Sequence, residues 1–186
     1  MNANGVTWQV IPGLGRTLSG VAPFPVTAPA QRPGGGSPRL EYRLHLFSSG
    51  EVTVRVYVSP THDVLGAGGL RYAVSIDDEA PQTVNLHADG SSSGVTDGNR
   101  AWERSVAENI KVLETKHRVA APGAHVLKLW MVDPGVVVQR IVVDAGGVRP
   151  SYLGPPESFH RGTNGATSAS SASPATRAAA GSRAGR

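Results

Sequence analysis

Apolar and polar residues alternate with a period of two in two neighbouring stretches of the chain. In residues 40–47 the even positions are leucine or tyrosine, and in residues 52–58 they are all valine. Successive residues of a strand point to opposite faces of a sheet, so each pattern predicts a strand with one buried face. The Ser-Ser-Gly segment at residues 48–50 favours a turn, and we expect the two strands to form a hairpin.

A second hairpin is predicted where residues 70–77 turn through Asp-Glu-Ala-Pro into residues 83–87. The segment between residues 22 and 38 is rich in proline and glycine and predicts an irregular surface connection. Further extended stretches are predicted at residues 6–11, 17–21 and 111–119.

A third hairpin is predicted near the end of the foldable region. Residues 125–132 alternate in polarity, with Leu127, Leu129 and Met131 on one face. An Asp-Pro-Gly segment follows, and the valine-rich residues 136–143 read as the returning strand. This region combines the clearest alternation with the clearest turn signals in the chain.

One short helix is predicted, at residues 100–109. Asn99 could cap its N-terminus, and Trp102, Val106 and Ile110 recur at the spacing of one helix face. Short strands separated by turns, with one helix, are typical of a sandwich. The fold class that follows is all-β, a β-sandwich or jelly roll of about eight antiparallel strands with one short helix.

The composition changes near residue 160. From there to residue 186 the chain consists mainly of Ala, Ser, Gly, Thr and Arg, which cannot bury enough apolar surface to fold. We expect a single β-sandwich domain over residues 1–159 and a disordered tail over residues 160–186.

The net charge of +4 comes from that tail, where four arginines occur without an acidic residue. The preceding residues are balanced in charge, and their aromatic residues are not interleaved with basic clusters, so nucleic acid is not an expected partner. No apolar run is long enough to span a membrane, and residues 1–4 do not resemble a secretion signal, so neither membrane association nor a leader is expected. The chain has no cysteine, which excludes disulfides and thiolate metal sites.

Asp77, Asp78 and Glu79 form the densest acidic cluster of the sequence. Paired carboxylates could serve glycoside hydrolysis, but consecutive strand residues point to opposite faces and would not flank one bond. Turn chemistry is favoured over a divalent cation, and a cation over catalysis. The six histidines are scattered singly, without the spacing of a zinc site. No catalytic residue, metal ligand or cofactor is predicted.

The tryptophans are the candidate carbohydrate contacts, because an indole face can stack on a sugar ring. Trp130 shares its strand face with Lys128, so a sugar or partner contact is one reading and packing under a loop is the other. Trp102 shares the apolar helix stripe, which favours core packing over sugar contact. Loop residues near Asn109 complete this set of candidate contacts.

The segments WMVDPGVVVQRIVVDAGG and SYLGPPES closely resemble the C-terminal domain of glycoside hydrolase family 115, the xylan α-1,2-glucuronidases. Upstream segments fall in the order expected for that family, and the resemblance covers roughly residues 6–158. These segments include WQVIPGLG at 8–15, LEY at 40–42, Pro60-Thr61, YAVSIDD at 72–78, PQTVN at 81–85 and the spaced residues Trp102, Val106, Asn109 and Ile110. The resemblance implies a β-sandwich without the family's catalytic part, which lies upstream of this domain.

The leading hypothesis is a non-catalytic accessory domain of an α-glucuronidase that acts on glucuronoxylan. The resemblance implies that its partners are catalytic domains of the same or a neighbouring chain and that it takes part in a homodimer. The chain would then be a fragment or one part of a split enzyme, and the resemblance implies that its relatives are often exported. The alternative is a free-standing carbohydrate-binding module for xylan-type polysaccharide.

Overall fold

Nine strands and one helix make up the described part of a computed structural model, which covers residues 1–66, 68–89 and 96–160. In chain order the elements are β1 (Thr7–Pro12), β2 (Ser19–Phe24), β3 (Arg39–Leu46), β4 (Gly50–Val58), β5 (Arg71–Ile76), β6 (Gln82–Asn85), α1 (Thr96–Glu108), β7 (Lys111–Val119), β8 (Gly123–Met131) and β9 (Val138–Asp144).

The strands form two antiparallel sheets. The first has five strands in the order β1-β2-β9-β4-β7, and the second has four in the order β3-β8-β5-β6. The all-β sandwich with one helix is therefore confirmed. Within the described residues, no helix combines the length and apolarity that crossing a membrane requires.

The period-two pattern of β4 shows how the core forms. Its four even-numbered valines are at most 3% exposed, while Arg55 and Tyr57 between them are only partly buried. Facing them from the other sheet are apolar side chains of β5 and β8, including Leu127 and Leu129 at 2% and 1% exposure. Each buried branched side chain contributes about 1.5–3 kcal/mol, so the two alternating faces account for the sandwich.

Only one of the three predicted hairpins is present. β5 pairs with β6 as expected, with Ala73 opposite Thr83. β3 instead pairs with β8, while β4 pairs with β7 and β9, so the loop at residues 47–49 crosses between the sheets. β8 and β9 are also in different sheets. The predictions of a β3–β4 and a β8–β9 hairpin were wrong, because alternation fixes which face is buried but not which strand lies alongside.

The helix begins earlier than predicted, at Thr96, so residue 99 lies inside it and is not its cap. The predicted apolar stripe is only partly buried. Ile110 is 5% exposed, but Val106 is 50% exposed, and Ser105 at 7% lies on the buried side instead. The prediction was wrong for Val106, because the stripe was read from apolar character alone.

Residues 1–155 form one compact unit, and residue 156 begins a second. The predicted tail, apart from residue 160, lies outside the described residues. The predicted boundary at residue 159 stays a prediction.

Candidate functional site

The C-terminal end of α1 is closed by a hydrogen-bonded cap centred on Asn109. Asn109 has a left-handed backbone, with φ at 52°, and its N–H donates to the carbonyl of Val106 at 3.0 Å. The N–H of Ile110 donates to the carbonyl of Ser105, also at 3.0 Å. These two bonds are those of a Schellman motif, in which asparagine is one of the few residues that tolerate the left-handed position. Asn109 thus has a structural role, and its side chain is exposed.

Arg16, from the loop between β1 and β2, supplies the positive charge at this helix end. The last turn of α1 contains no basic residue of its own. The Arg16 guanidinium donates to the carbonyl of Glu108 and forms an ion pair with the Glu108 carboxylate at 3.2 Å. A cation beside the last carbonyls of a helix interacts favourably with the helix dipole, so the loop stabilises the helix end.

Gln139 joins three segments at this end of the sandwich. The register of β9 against β4 shifts between Tyr57 and Val58, opposite Gln139, which marks a β-bulge. The Gln139 side-chain amide donates to the Ser59 hydroxyl and to the Asn109 carbonyl, both at 2.9 Å, and its oxygen accepts from the Arg16 N–H at 2.9 Å. A single bulged side chain therefore connects the sheet, the helix end and the β1–β2 loop.

Gly15 makes this arrangement possible. Its φ is 85°, and a Cβ at this position would overlap the side chain of Gln139. Only glycine lets the β1–β2 loop approach the bulge this closely. The close approach places the N–H of Arg16 on the amide oxygen of Gln139.

A small cavity lies between α1 and the loop that follows β4. Its volume of about 10 Å³ corresponds to one water molecule. One wall is His87, which is 8% exposed and whose Nε2 donates to the Thr61 carbonyl at 2.8 Å while Nδ1 accepts from the Leu70 N–H at 3.3 Å. The cavity is too small for a monosaccharide, so a ligand at this end would have to bind on the surface.

Trp102 forms another wall of that cavity and lies half-buried on α1. Its indole packs against the exposed ring of His62, with 4.0 Å between the ring centroids and 33° between the planes. Trp102 and Asn109 thus lie at the same end of the sandwich. Trp102 is in α1, and Asn109 follows its last residue, about two helical turns further along the chain. Their roles as carbohydrate contacts stay predictions.

Trp130 lies elsewhere, on the outer face of the four-stranded sheet, and is only 5% exposed. Its indole N–H donates to the buried Ser75 hydroxyl at 2.9 Å, so the ring lies across β5. The Arg39 guanidinium covers it, with 4.7 Å between Cζ and the ring centroid. A sugar could reach this indole face only if Arg39 moved, and the predicted contact at Trp130 stays a prediction.

The acidic cluster forms a turn, as expected from the sequence. Asp77 has a φ of 52°, and its carboxylate accepts from the His125 ring at 2.7 Å and from the Val126 N–H at 2.9 Å. Glu79 accepts from the Ile76 N–H at 2.7 Å and contacts the buried His117. The two carboxylates therefore connect β5 to different neighbouring strands. Among the described residues, no group of three or more side chains is arranged to hold a metal ion.

Sequence reasoning missed Arg16, Gln139 and Tyr152. Tyr152 is 69% exposed and lies 4.0 Å from the Arg16 guanidinium, measured from the ring centroid to Cζ. The only sequence signal for Tyr152 is its place in the SYLGPPES segment after the last strand. Gln139 could not be singled out from the sequence, because a bulge cannot be read from alternation.

Comparison with known proteins identifies the domain. Residues 1–157 match the model of the glycosyl hydrolase family 115 C-terminal domain. No curated protein matches the chain at a significant level. Among solved structures, the 4-O-methyl-α-glucuronidase BtGH115A, described as specific for decorated arabinogalactans, matches with a TM-score of 0.55 and 17% identity over 79% of this chain. This chain spans only 17% of the length of that enzyme.

Two structures with carbohydrate-binding modules of family 35 are also similar. A Podospora anserina GH26-CBM35 β-(1,4)-mannanase has a TM-score of 0.46 and 11% identity, covering 79% of this chain and 26% of that one. A family 35 module from an environmental isolate has a TM-score of 0.41 and 14% identity, covering 81% of this chain and 95% of that one. With the family model matched over nearly all of the described residues, the chain belongs to the glycosyl hydrolase family 115 C-terminal domain family.

Proposed function

We propose that this chain is a non-catalytic accessory β-sandwich of a family 115 α-glucuronidase that acts on glucuronoxylan, and that it supports assembly of the catalytic protein. The observation that carries the proposal is the family match over residues 1–157, combined with the small share, 17%, of the related glucuronidase that the chain spans. The catalytic domains would be its partners, from the same or a neighbouring chain, and the assembly would include a homodimer. Residues 1–159 would be the accessory domain.

The chemistry of the described polar groups supports an accessory role. The carboxylates of Asp77, Glu79 and Asp133 are all engaged in hydrogen bonds to backbone or basic groups. A glycosidase needs two carboxyl groups on either side of a bound sugar, which requires a cleft that admits a sugar. The cavity beside α1 has room for about one water molecule.

The experiment is reconstitution with the catalytic domains that belong to this chain. The purified chain alone should release no 4-O-methylglucuronic acid from aldouronic acids, and the catalytic domains should gain activity and change molar mass when it is added. Static light scattering after size-exclusion chromatography gives the mass, and release of the acid gives the activity. Release by the chain alone, or an unchanged mass and activity of the mixture, would contradict the proposal.

A second candidate function is a free-standing carbohydrate-binding module for xylan-type polysaccharide. Its specific support is the half-exposed Trp102, held against His62 on the same end of the sandwich as the exposed side chain of Asn109. Such a module should be retarded in a native gel containing glucuronoxylan, and Trp102→Ala should weaken the retardation. Unchanged mobility of the wild-type chain in glucuronoxylan and in decorated arabinogalactan would contradict this function.

A further inference from the structure

Tyr152 presents a fixed aromatic ring at the surface. It lies in the irregular segment after β9 with 69% of its surface exposed, although one side of its ring is covered by Arg16. The guanidinium Cζ lies 4.0 Å from the ring centroid, and an Nη1 hydrogen is donated to the Tyr152 carbonyl at 3.0 Å. The same arginine thus holds both the ring and the backbone of Tyr152, and the uncovered side of the ring faces solvent.

The support beneath this ring is itself fixed. The Arg16 side chain is 9% exposed, and Glu108 binds it through both its carbonyl and its carboxylate. The Arg16 N–H is held by Gln139. A ring whose orientation is set by a buried network loses little conformational freedom when a ligand stacks on it, so more of the stacking energy appears as affinity.

The charges around the ring select the ligand. Arg16 is neutralised by Glu108 and largely buried, so it is not available to bind the carboxylate of a uronic acid. The Glu108 carboxylate is 53% exposed and can accept hydrogen bonds from sugar hydroxyl groups. Because one guanidinium contacts both the ring and the carboxylate, the two lie close enough to contact the same sugar or adjacent sugars of a chain.

We propose that Tyr152 and Glu108 form a surface site for a neutral pyranose unit of a polysaccharide backbone. The C–H face of the sugar stacks on the Tyr152 ring, and a sugar hydroxyl group donates to the Glu108 carboxylate. This inference rests on the carbohydrate-binding function proposed above and names the ligand class and the residues for it. The negative charge of Glu108 disfavours a uronic acid side group at this position.

The test compares Tyr152→Ala with Tyr152→Phe and with the control Phe47→Ala. Phe47 is 89% exposed in the loop after β3 and provides an exposed aromatic ring away from Arg16. Retardation in a glucuronoxylan gel and titration with xylohexaose measure binding. Tyr152→Ala should lose about tenfold in affinity, while Tyr152→Phe and Phe47→Ala should bind as the wild type does. Xylohexaose should compete with the polysaccharide, and glucuronic acid should not.

Several results would overturn the inference. Wild-type affinity in Tyr152→Ala together with loss in Trp102→Ala would place the site at Trp102 instead and leave the carbohydrate-binding function intact. Competition by glucuronic acid would show that the ligand is acidic. Unchanged sugar binding with weakened assembly onto the catalytic domains would make Tyr152 a protein contact. No retardation of the wild-type chain would remove the carbohydrate-binding function and this site with it.

Discussion

Arg71 and Asp133 form a two-point ion pair at the position where the chain leaves the four-stranded sheet. Nε of Arg71 lies 2.7 Å from Oδ2 of Asp133, and Nη2 lies 3.1 Å from Oδ1. Oδ2 also accepts from the Arg71 N–H at 2.9 Å, and the Asp133 N–H donates to the Arg71 carbonyl at 2.9 Å. Asp133 is 1% exposed, so this pair fixes the end of β8 against the start of β5 from within the protein.

Asp133→Ala should destabilise the domain by about 2–4 kcal/mol, because it leaves the partly buried Arg71 N–H without its acceptor and removes the partner of the guanidinium. The Arg71 side chain is 39% exposed, so water can solvate its charge and the loss stays below that of a fully buried pair. Urea unfolding followed by circular dichroism measures the change.

The control for that prediction is Glu51→Ala. Glu51 pairs with Lys116 at 2.9 Å, but the two side chains are 64% and 70% exposed. An exposed pair contributes little to stability, because water and salt screen it, so this variant should unfold near the wild-type midpoint. Equal losses in the two variants would show that burial of Asp133 does not set its contribution.

Gln139→Ala should loosen the end of α1 before it affects the rest of the sandwich. The substitution removes three hydrogen bonds, to Ser59, Asn109 and Arg16, at about 0.5–1.5 kcal/mol each. Hydrogen exchange of the amides of residues 100–110 should become faster than exchange in β4. Gln9→Ala is the matched control, since Gln9 is exposed on the edge strand β1 and its side chain reaches only Thr7, at 3.5 Å. Uniform acceleration across both sheets would contradict a local role for Gln139.

The strands could be predicted from the sequence, but the pairing between strands could not. Valine at every second position of β4 specifies a buried face whatever lies beside the strand, so alternation predicted β4 correctly. The loops after β3 and β8 have ordinary turn composition, yet both cross between the sheets. The predicted hairpin of β5 and β6 is present. Its two strands are joined by a turn of five residues and pair within one sheet.

The candidate site could be predicted only in part for a related reason. Trp102 and Asn109 could be named from the sequence because an indole is a candidate sugar contact and Asn109 lies at the end of the predicted helix. The contacts of Arg16 with Glu108 and Tyr152 join residues 92 and 136 positions apart. Contacts between such distant residues depend on the strand order, which the sequence left open. Gln139 depends in addition on a bulge, which inserts one residue without a clear composition signal.

Arg39→Ala should uncover the indole of Trp130. The guanidinium is held above the ring by Glu41 at 2.7 Å and by the Gly35 carbonyl at 2.8 Å, so its removal leaves that face open to water. Trp130 fluorescence, isolated by replacing Trp8 and Trp102 with phenylalanine, should shift to longer wavelength and become more accessible to acrylamide. Arg39→Lys should give a smaller fluorescence shift and a smaller gain in acrylamide accessibility than Arg39→Ala. An ammonium group stacks on an indole less extensively than a planar guanidinium does.

The same variant tests whether Trp130 contacts carbohydrate. If the uncovered indole is a stacking face, Arg39→Ala should be retarded more than the wild type in a glucuronoxylan gel, and Arg39→Ala combined with Trp130→Phe should reverse the gain. Unchanged retardation, with the expected fluorescence shift, would assign Trp130 to packing alone.

The stability of the domain should depend on pH through the pair of His125 and Asp77. Nδ1 of His125 lies 2.7 Å from the Asp77 carboxylate, and Nε2 lies 3.0 Å from the Ala121 carbonyl, so both ring nitrogens have acceptors. The Asp77 hydrogen bond raises the pKa of His125 above its ordinary 6.5, although partial burial lowers it. Partial burial raises the pKa of Asp77, but the hydrogen bonds from His125 and Val126 outweigh it and hold that pKa below its ordinary 3.8.

A raised histidine pKa stabilises the fold fully below about pH 6.5, and this contribution is lost as the pH rises through the folded-state pKa. The lowered pKa of Asp77 stabilises the fold above about pH 4, and this contribution to stability is lost as the pH falls. The difference in melting temperature between the wild type and His125→Gln should therefore be largest near about pH 5–6 and shrink toward about pH 9. A difference that grows above pH 7 would show that His125 is neutral in the folded protein.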